Sequence, residues 1–262
     1  MVQPLRAADV PAAIALLERV GLPSGAANLA RYLRWQPAGA WGVVEHGALV
    51  GMVTLLQFGH VGFVGCMAVD PGRQARGLGR VLLEHAHAAG RRAGVITLLL
   101  EATPSGQRLY EKLGYVVDHE TLIVSRSRVA PSDPVALDHE RRAIFELDRG
   151  ATGSPRDVMI GGLIDEGRGG VERTTVLAGY GLVVGDRLGP VIARDPGAGR
   201  ALVDRLAGAC TVAAVPAPNE PAMAAFAANG FGYTRSLRRM RLGPPVGSNP
   251  AWLWSLASSG AG

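Results

Sequence analysis

The stretch VDPGRQARGLGRVLLEHAHAAG, residues 69–90, gathers the most suggestive chemistry in the chain. An apolar run ends at Val69-Asp70-Pro71. A loop follows with Arg73, Arg76 and Arg80 around Gly77 and Gly79, and then apolar residues recur at helical spacing. A helix start presents unpaired backbone N–H groups and the positive end of the helix dipole, so an anion is stable there. Glycines let backbone approach phosphate oxygens without a Cβ in the way, and arginines add charge-assisted hydrogen bonds. On this stretch alone a phosphate cradle and a plain basic turn both stay open. Two rival phosphate loops fit less well. A P-loop needs Gly-Lys-Ser/Thr and no lysine is here, while a dinucleotide fingerprint needs a third glycine where Leu82 stands.

The elements around this loop follow from spacing and punctuation. Asp9-Val10-Pro11 reads as a helix start and Gly21 as its stop, and a second helix is predicted from about Ser24 to Trp35. WGVVEHGALVGMVTLLQF reads as two strands around a turn at His46-Gly47. HVGFVGCMAVDP is a third strand, apolar enough to be central; Gly62 and Gly65 within it suggest a bulge or a close backbone approach. After the basic loop and its helix come GVITLLLEAT as a buried strand, PSGQRLYEKLGY as a short helix closed at Gly114, and YVVDHETLIVSRS as a last strand that completes a strand pair. This order implies an α/β (α+β) fold with a mixed, mostly antiparallel sheet flanked by helices.

VAPSDPVALDHE, with its prolines, is the expected connector, and the pattern then repeats. VERTTVLAGYGLVVG, RLGPVIARDP and ACTVAAVP are strand-like, GAGRALVDRL and NEPAMAAFAANGF helical, and the strand-rich tail contains WLWSL. Tyr110, Gly114 and Tyr115 match Phe226, Gly230 and Phe231 at one constant offset, and Asp70-Pro71 matches Asp195-Pro196 at a slightly longer one. Two copies of one domain are expected, residues 1–130 and 131–262, the second shortened between these landmarks.

With 262 residues, 48% hydrophobic and 19% charged, the composition is that of a globular protein rather than a disordered one. The net charge of +5 favours an anionic ligand, but the arginines are dispersed, and no dense basic tract with interleaved aromatics points to nucleic acid. Cys66 and Cys210 lie in apolar runs and read as buried reduced thiols. No signal-peptide pattern opens the sequence, and Gly, Pro or charge interrupts every apolar run short of a membrane span. A cytoplasmic protein without membrane or nucleic-acid partners, monomer or homodimer, is the expectation.

Gln74-Ala75-Arg76-Gly77-Leu78-Gly79 resembles the Gln/Arg-x-x-Gly-x-Gly/Ala loop of the GNAT superfamily of acyl-CoA-dependent N-acyltransferases. The Val-Asp-Pro strand end before it, the helix after it and the later GQRLYEKLGY match in order over about 130 residues. The second half resembles the degenerate C-terminal GNAT-like domain of a two-domain branch. The resemblance implies acetyl-CoA as donor, with no metal. It places the pyrophosphate on Gln74, Ala75, Arg76, Gly77, Leu78, Gly79 and Arg80, and the thioester and pantetheine against Met67, Ala68 and Val69. It makes Tyr110 the general acid toward the departing thiolate. A phenol near ~10 can protonate a nascent thiolate whose thiol titrates near ~8.5; the alternative is a tyrosine merely packed at a helix end. At the matching place the second copy has Phe226, which has no proton to give, and its ARDPGAGRALV lacks the glycine pattern. That copy is expected to be structural or substrate-shaping.

A base for the acceptor is open among Glu101, His60, His119 and an ordered water. Two residues apart on a helix, His85 and His87 point to different faces and cannot share a metal. Arg238, Arg239 and Arg241 read as solvated strand positions. Asp148 and Arg156, in a polar turn-rich segment, are candidates for the acceptor cleft. The expected activity is acetyl transfer to a primary amine, of a small molecule or a protein, by direct attack in a ternary complex, since no cysteine is placed as an acyl carrier. A non-catalytic acyl-CoA sensor and, more weakly, a nucleotide-binding protein are the alternatives.

Overall fold

The computed structural model describes residues 1–129, 132 and 134–261, so part of the expected connector, residues 129–140, lies outside the described residues. Strand β1 (Val2–Pro4) precedes helices α1 (Val10–Arg19) and α2 (Pro23–Trp35). Both helices carry proline in the first turn, where a missing N–H breaks no helical bond. Strands β2 (Ala40–Glu45) and β3 (Ala48–Phe58) form the expected hairpin. His46 and Gly47 both adopt positive φ, 50° and 78°, as a two-residue primed turn requires. Then follow β4 (Val61–Val69), α3 (Leu78–Arg92), β5 (Thr97–Ala102), α4 (Pro104–Lys112) and β6 (Val116–Ser125).

The second half runs α5 (Arg141–Thr152), α6 (Asp157–Glu166), β7 (Arg168–Arg173), β8 (Leu177–Val184), β9 (Arg187–Ala193) and α7 (Pro196–Leu206). It continues with β10 (Val212–Pro216), α8 (Glu220–Ala228), β11 (Gly232–Leu242) and β12 (Leu253–Ser255). The described residues fall into two compact units. The first is Met1–Val117 with Met240–Pro245 and the residues from Ser259; the second is Asp118–Arg239 with Val246–Ser258. The chain therefore returns to its first unit twice.

In the first unit the order is β1-β2-β3-β4-β5, antiparallel except for the parallel pair β4–β5. Helix α3 is the crossover that a parallel pair demands. Its apolar face, Leu82, Leu83 and Ala86, packs with Val53, Val64 and Leu100 of the sheet. β1, which three residues of sequence do not announce, caps the outer edge of β2. At the other side the Thr97 hydroxyl donates to the Pro244 carbonyl at 2.8 Å, tying the returning segment to β5.

The second unit repeats the scheme as β7-β8-β9-β10-β6, with β9–β10 parallel and α7 as crossover. Leu202, Val203 and Leu206 of α7 pack with Val191, Val215 and Phe226. Asp148 and Arg156 do not line a cleft, because both are buried in this unit and are engaged with each other. The Arg156 guanidinium donates from Nε to Asp148 Oδ2 at 3.0 Å and from Nη2 to Oδ1 at 2.6 Å, and the Tyr180 hydroxyl donates to Oδ1 at 2.5 Å. With both side chains shielded from water, the bidentate pair needs all of these bonds to offset desolvation. Arg156→Met is expected to strand the buried carboxylate and lower unfolding free energy by about 3–5 kcal/mol, read from urea melts.

Candidate active site

The first unit's sheet opens at its parallel pair. β4 meets β5 only over Val61–Phe63 against Thr97–Leu99, and the strands then part. The β3–β4 register shifts between Thr54↔Gly65 and Met52↔Ala68, placing two residues of β4 opposite one of β3. Cys66 within this bulge takes φ +46°, a left-handed conformation unusual for a side chain other than glycine. The bulge expected near Gly65 is thus present, one residue on, and beyond it the backbone of Met67, Ala68 and Val69 turns an edge toward the parted side.

The loop after β4 is built for one conformation. Asp70 is spent locally: its carboxylate accepts from Gly72 N–H at 3.0 Å and from Arg19 at 3.0 Å. Gln74 folds back and donates to the Val69 carbonyl at 3.0 Å. Ala75 at φ +60° and Gly77 at φ +82° turn the chain into α3. Gly77 is therefore required by its backbone angle, since a Cβ there would meet nothing within 4 Å. Gly79 answers a different need, because a Cβ there would come within 3.0 Å of Leu109 and 3.3 Å of Met67. No side chain caps α3, so the N–H groups of its first turn keep the positive pole of the helix unneutralised. Arg76 is exposed and makes no ion pair among the described residues. Arg80 is exposed and only loosely paired with Glu84, 3.8 Å away. Arg73 is less available than the sequence suggests, since it donates to Glu45 at 2.7 Å.

Tyr110 sits on α4 with its ring against Gly106, edge-on to Tyr115 at a centroid distance of 5.7 Å. Burial pushes its phenol above the ordinary tyrosine range, so the hydroxyl stays a proton donor at any physiological pH. Behind it His87 hydrogen-bonds Tyr115 at 2.9 Å. Burial holds His87 below its usual range, hence neutral. The sequence marks His87 only as unable to bind metal; its place behind a tyrosine pair needed the fold.

The second unit offers the same architecture and fills it with its own chain. β9 meets β10 at Arg187↔Val212, and β12 then enters, with Leu253 opposite Ile192 and Ser255 opposite Val191. Leu256 N–H donates to Ala214 O of β10 at 2.8 Å, and the Ser255 hydroxyl donates to Leu188 O at 2.8 Å. The Trp254 indole lies on the first turn of α7, where a Cβ on Gly199 would fall 2.0 Å from its ring. The Asp195 carboxylate caps α7 by accepting from Ala198 N–H at 2.9 Å. Each feature that α3 leaves open is closed at α7 by the protein itself.

Family models for the acetyltransferase (GNAT) domain match residues 37–117 and, with a different GNAT model, residues 144–253. The chain carries two GNAT acetyltransferase domains in tandem. Solved structures share the fold along the chain. An acetyltransferase candidate from Pyrococcus horikoshii superposes at TM-score 0.87 with 21% identity, covering 100% of this chain and 95% of that one. A GCN5-related N-acetyltransferase from Sphaerobacter thermophilus gives 0.69 and 17%, covering 95% and 98%. A tandem GNAT protein from the clavulanic acid biosynthesis pathway gives 0.62 and 20%, covering 94% and 99%. No curated protein matches the sequence.

Within the first GNAT domain the base candidates separate. Glu101 lies half-buried on β5. His60 sits in the turn before β4, at the end where the strands are still paired, with Nδ1 3.1 Å from Gly94 O. His119 belongs to the second unit, where burial and Arg239, against the opposing pull of Asp118, bring its pKa down to about 4. His85 packs edge-on against Trp41 while His87 faces Tyr115, so the two do point apart. No group of three or more metal-ligating side chains occurs among the described residues, and no described helix is long and apolar enough to cross a membrane. Both thiols are buried, and burial pushes Cys66 and Cys210 up to about 12. Neither is a thiolate at neutral pH. A thiol-reactive disulfide at pH 8 should therefore label neither cysteine in the native GNAT protein and both after denaturation, counted by mass.

Proposed function

We propose that residues 1–130 form a working N-acetyltransferase domain and that residues 131–262 form a degenerate copy without donor chemistry. The observation that carries this reading is the contrast between the two parted strands. One has a backbone edge, an uncapped helix start and an unpaired arginine; the other holds β12, Trp254 and a capping aspartate in the same positions. The acetyl-CoA pyrophosphate would rest on the α3 start, held by the N–H groups of Gly77–Arg80 and by Arg76, with Gln74 and Ala75 shaping the turn. Pantetheine would run along Met67–Val69 in the manner of an added strand, as β12 does on β9.

The chemistry follows from this placement. A backbone N–H of the Met67–Val69 edge donates to the thioester oxygen, fixed before charge develops there. The neutral amine attacks the carbonyl carbon, the C–S bond breaks, and the Tyr110 phenol passes its proton to the CoA thiolate. The ammonium formed on the acceptor gives its proton to water, and the Tyr110 phenolate takes one back from water, so the cycle closes. Proton transfer from a phenol to a free thiolate is uphill, and burial of the phenol adds to this. The same desolvation makes the nascent thiolate a stronger base, and the proton released by the ammonium returns the phenolate to a phenol by way of water. Inert, protonated cysteines support direct attack over an acyl-enzyme. The acceptor is a primary amine, of a small molecule or a protein.

Thiol release from acetyl-CoA across a panel of amines tests the reading; acetyl-CoA bound with no release for any amine would make the protein a sensor instead. Tyr110→Phe is expected to lower kcat by about 10²-fold or more with the acetyl-CoA dissociation constant within twofold. Loss of binding with unchanged kcat would assign the tyrosine to packing.

A further inference from the structure

Ser259, Gly260 and Ala261 return to the first unit and pack on the bulge of β4. A Cβ on Gly65 would fall 2.5 Å from the Gly260 carbonyl oxygen and 3.1 Å from the Thr54 hydroxyl. On the other side of the segment, a Cβ on Gly260 would fall 2.7 Å from the Tyr32 hydroxyl of α2. Two glycines thus let the segment pass between β4 and α2. The segment is not loose, for Gly260 is buried and Ala261 is 2% exposed. It covers a polar group as well: the Thr54 hydroxyl is fully buried without a full hydrogen bond, and the Cys66 thiol beside it offers only a weak one. A buried hydroxyl left in this state is costly unless something else uses it.

The position of this segment relative to the parted strands gives it a role. Met67 and Gly79 face the α3 side, where the proposed pyrophosphate seat lies. Gly65, Thr54 and Cys66 face the opposite side, toward α2, with Cys66 Sγ 3.9 Å from Gly25 O. A donor held from the α3 side leaves the α2 side of the thioester for an incoming amine. That side is where Ser259–Ala261 lies.

We infer that Ser259–Ala261 is an acceptor-specificity strap: it walls the approach to the thioester from the α2 side and limits the acceptor to amines slender enough to pass beside it. The assignment rests on the acyl-transfer reading. The strap acts through shape, because its residues are small and carry no side-chain charge, and it exposes the Thr54 hydroxyl as a hydrogen-bonding group when it shifts. Gly260→Val in the full chain puts methyl groups into the Tyr32 contact and forces the strap away from α2. A chain ending at residue 258 removes it altogether.

Both variants and the unaltered protein are to be assayed for thiol release with amines graded by bulk, from methylamine to branched amines and lysine-containing peptides. Acetyl-CoA dissociation constants are measured beside them. The strap predicts at least a tenfold rise in kcat/KM for the bulkier amines in either variant, with the acetyl-CoA constant within twofold. Acceptor kcat/KM unchanged within twofold across the panel, in whichever variant folds, overturns the strap and leaves acyl transfer standing. An unaltered protein silent with every amine and a variant that turns over would show the strap closing the site. Silence in all three would overturn both readings. If both variants fail to fold, the milder Gly260→Ala, whose Cβ would still fall 2.7 Å from the Tyr32 hydroxyl, decides by the same ratio.

Discussion

A strand edge released from its neighbour leaves backbone N–H and C=O groups that must find partners, and both repeats of this chain are organised around such an edge. In each, a parallel pair holds briefly, over three positions in the first repeat and one in the second, and then separates. The bulge at Cys66 drives the separation in the first repeat by spending a residue of β4 without a partner on β3. The second repeat satisfies the freed edge with β12, which bonds β9 on one side and reaches β10 through Leu256 on the other. The pantetheine arm of acyl-CoA carries amides with the same donors and acceptors, so a strand and a cofactor are interchangeable solutions to one problem.

The helix that follows the edge shows the same alternative in electrostatic form. The positive pole of α7 is neutralised by Asp195, a covalently attached anion, whereas the corresponding Asp70 is turned aside to Gly72 and Arg19 and leaves α3 uncapped. A capping aspartate is the stabilising choice, worth about 1 kcal/mol. Leaving it out, while also holding Ala75 in a left-handed conformation, trades stability for a site that an anion can complete. Tyr110 and Phe226 carry the same distinction into the proposed chemistry, since both pack edge-on to the aromatic five residues later and only the tyrosine has a proton.

Much of this was legible in the sequence. Hairpin, basic loop, crossover helix and the Tyr-Gly-Tyr helix ending each have a local physical signature, and all stand where the residues place them. The duplicated landmarks, Asp70-Pro71 with Asp195-Pro196 and Tyr110 with Phe226, are likewise local. What stayed hidden depends on distant partners. Gly79 has a packing reason for its size that the sequence does not show, since Leu109 and Met67 need the room. Arg73 looked free but meets Glu45. Asp148 and Arg156 looked like acceptor-cleft residues in a polar turn, and only Tyr180, from a strand far along the chain, reveals them as a buried cluster. The WLWSL tail read as strand, yet nothing local says that it lies on β9 or that its tryptophan packs on the first turn of α7. The chain's return to the first unit at Ser259 has no signature at all.

The central claim is that one edge takes acyl-CoA and the other is already taken. Amide hydrogen exchange of the full chain, with and without saturating CoA, tests it most directly. One CoA per chain should protect the amides of Met67–Val69 and Gly77–Arg80 while those of Val191–Ala193 and Ala198–Arg200 exchange as before. Protection at the second set, or two equivalents of CoA bound per chain, would contradict it.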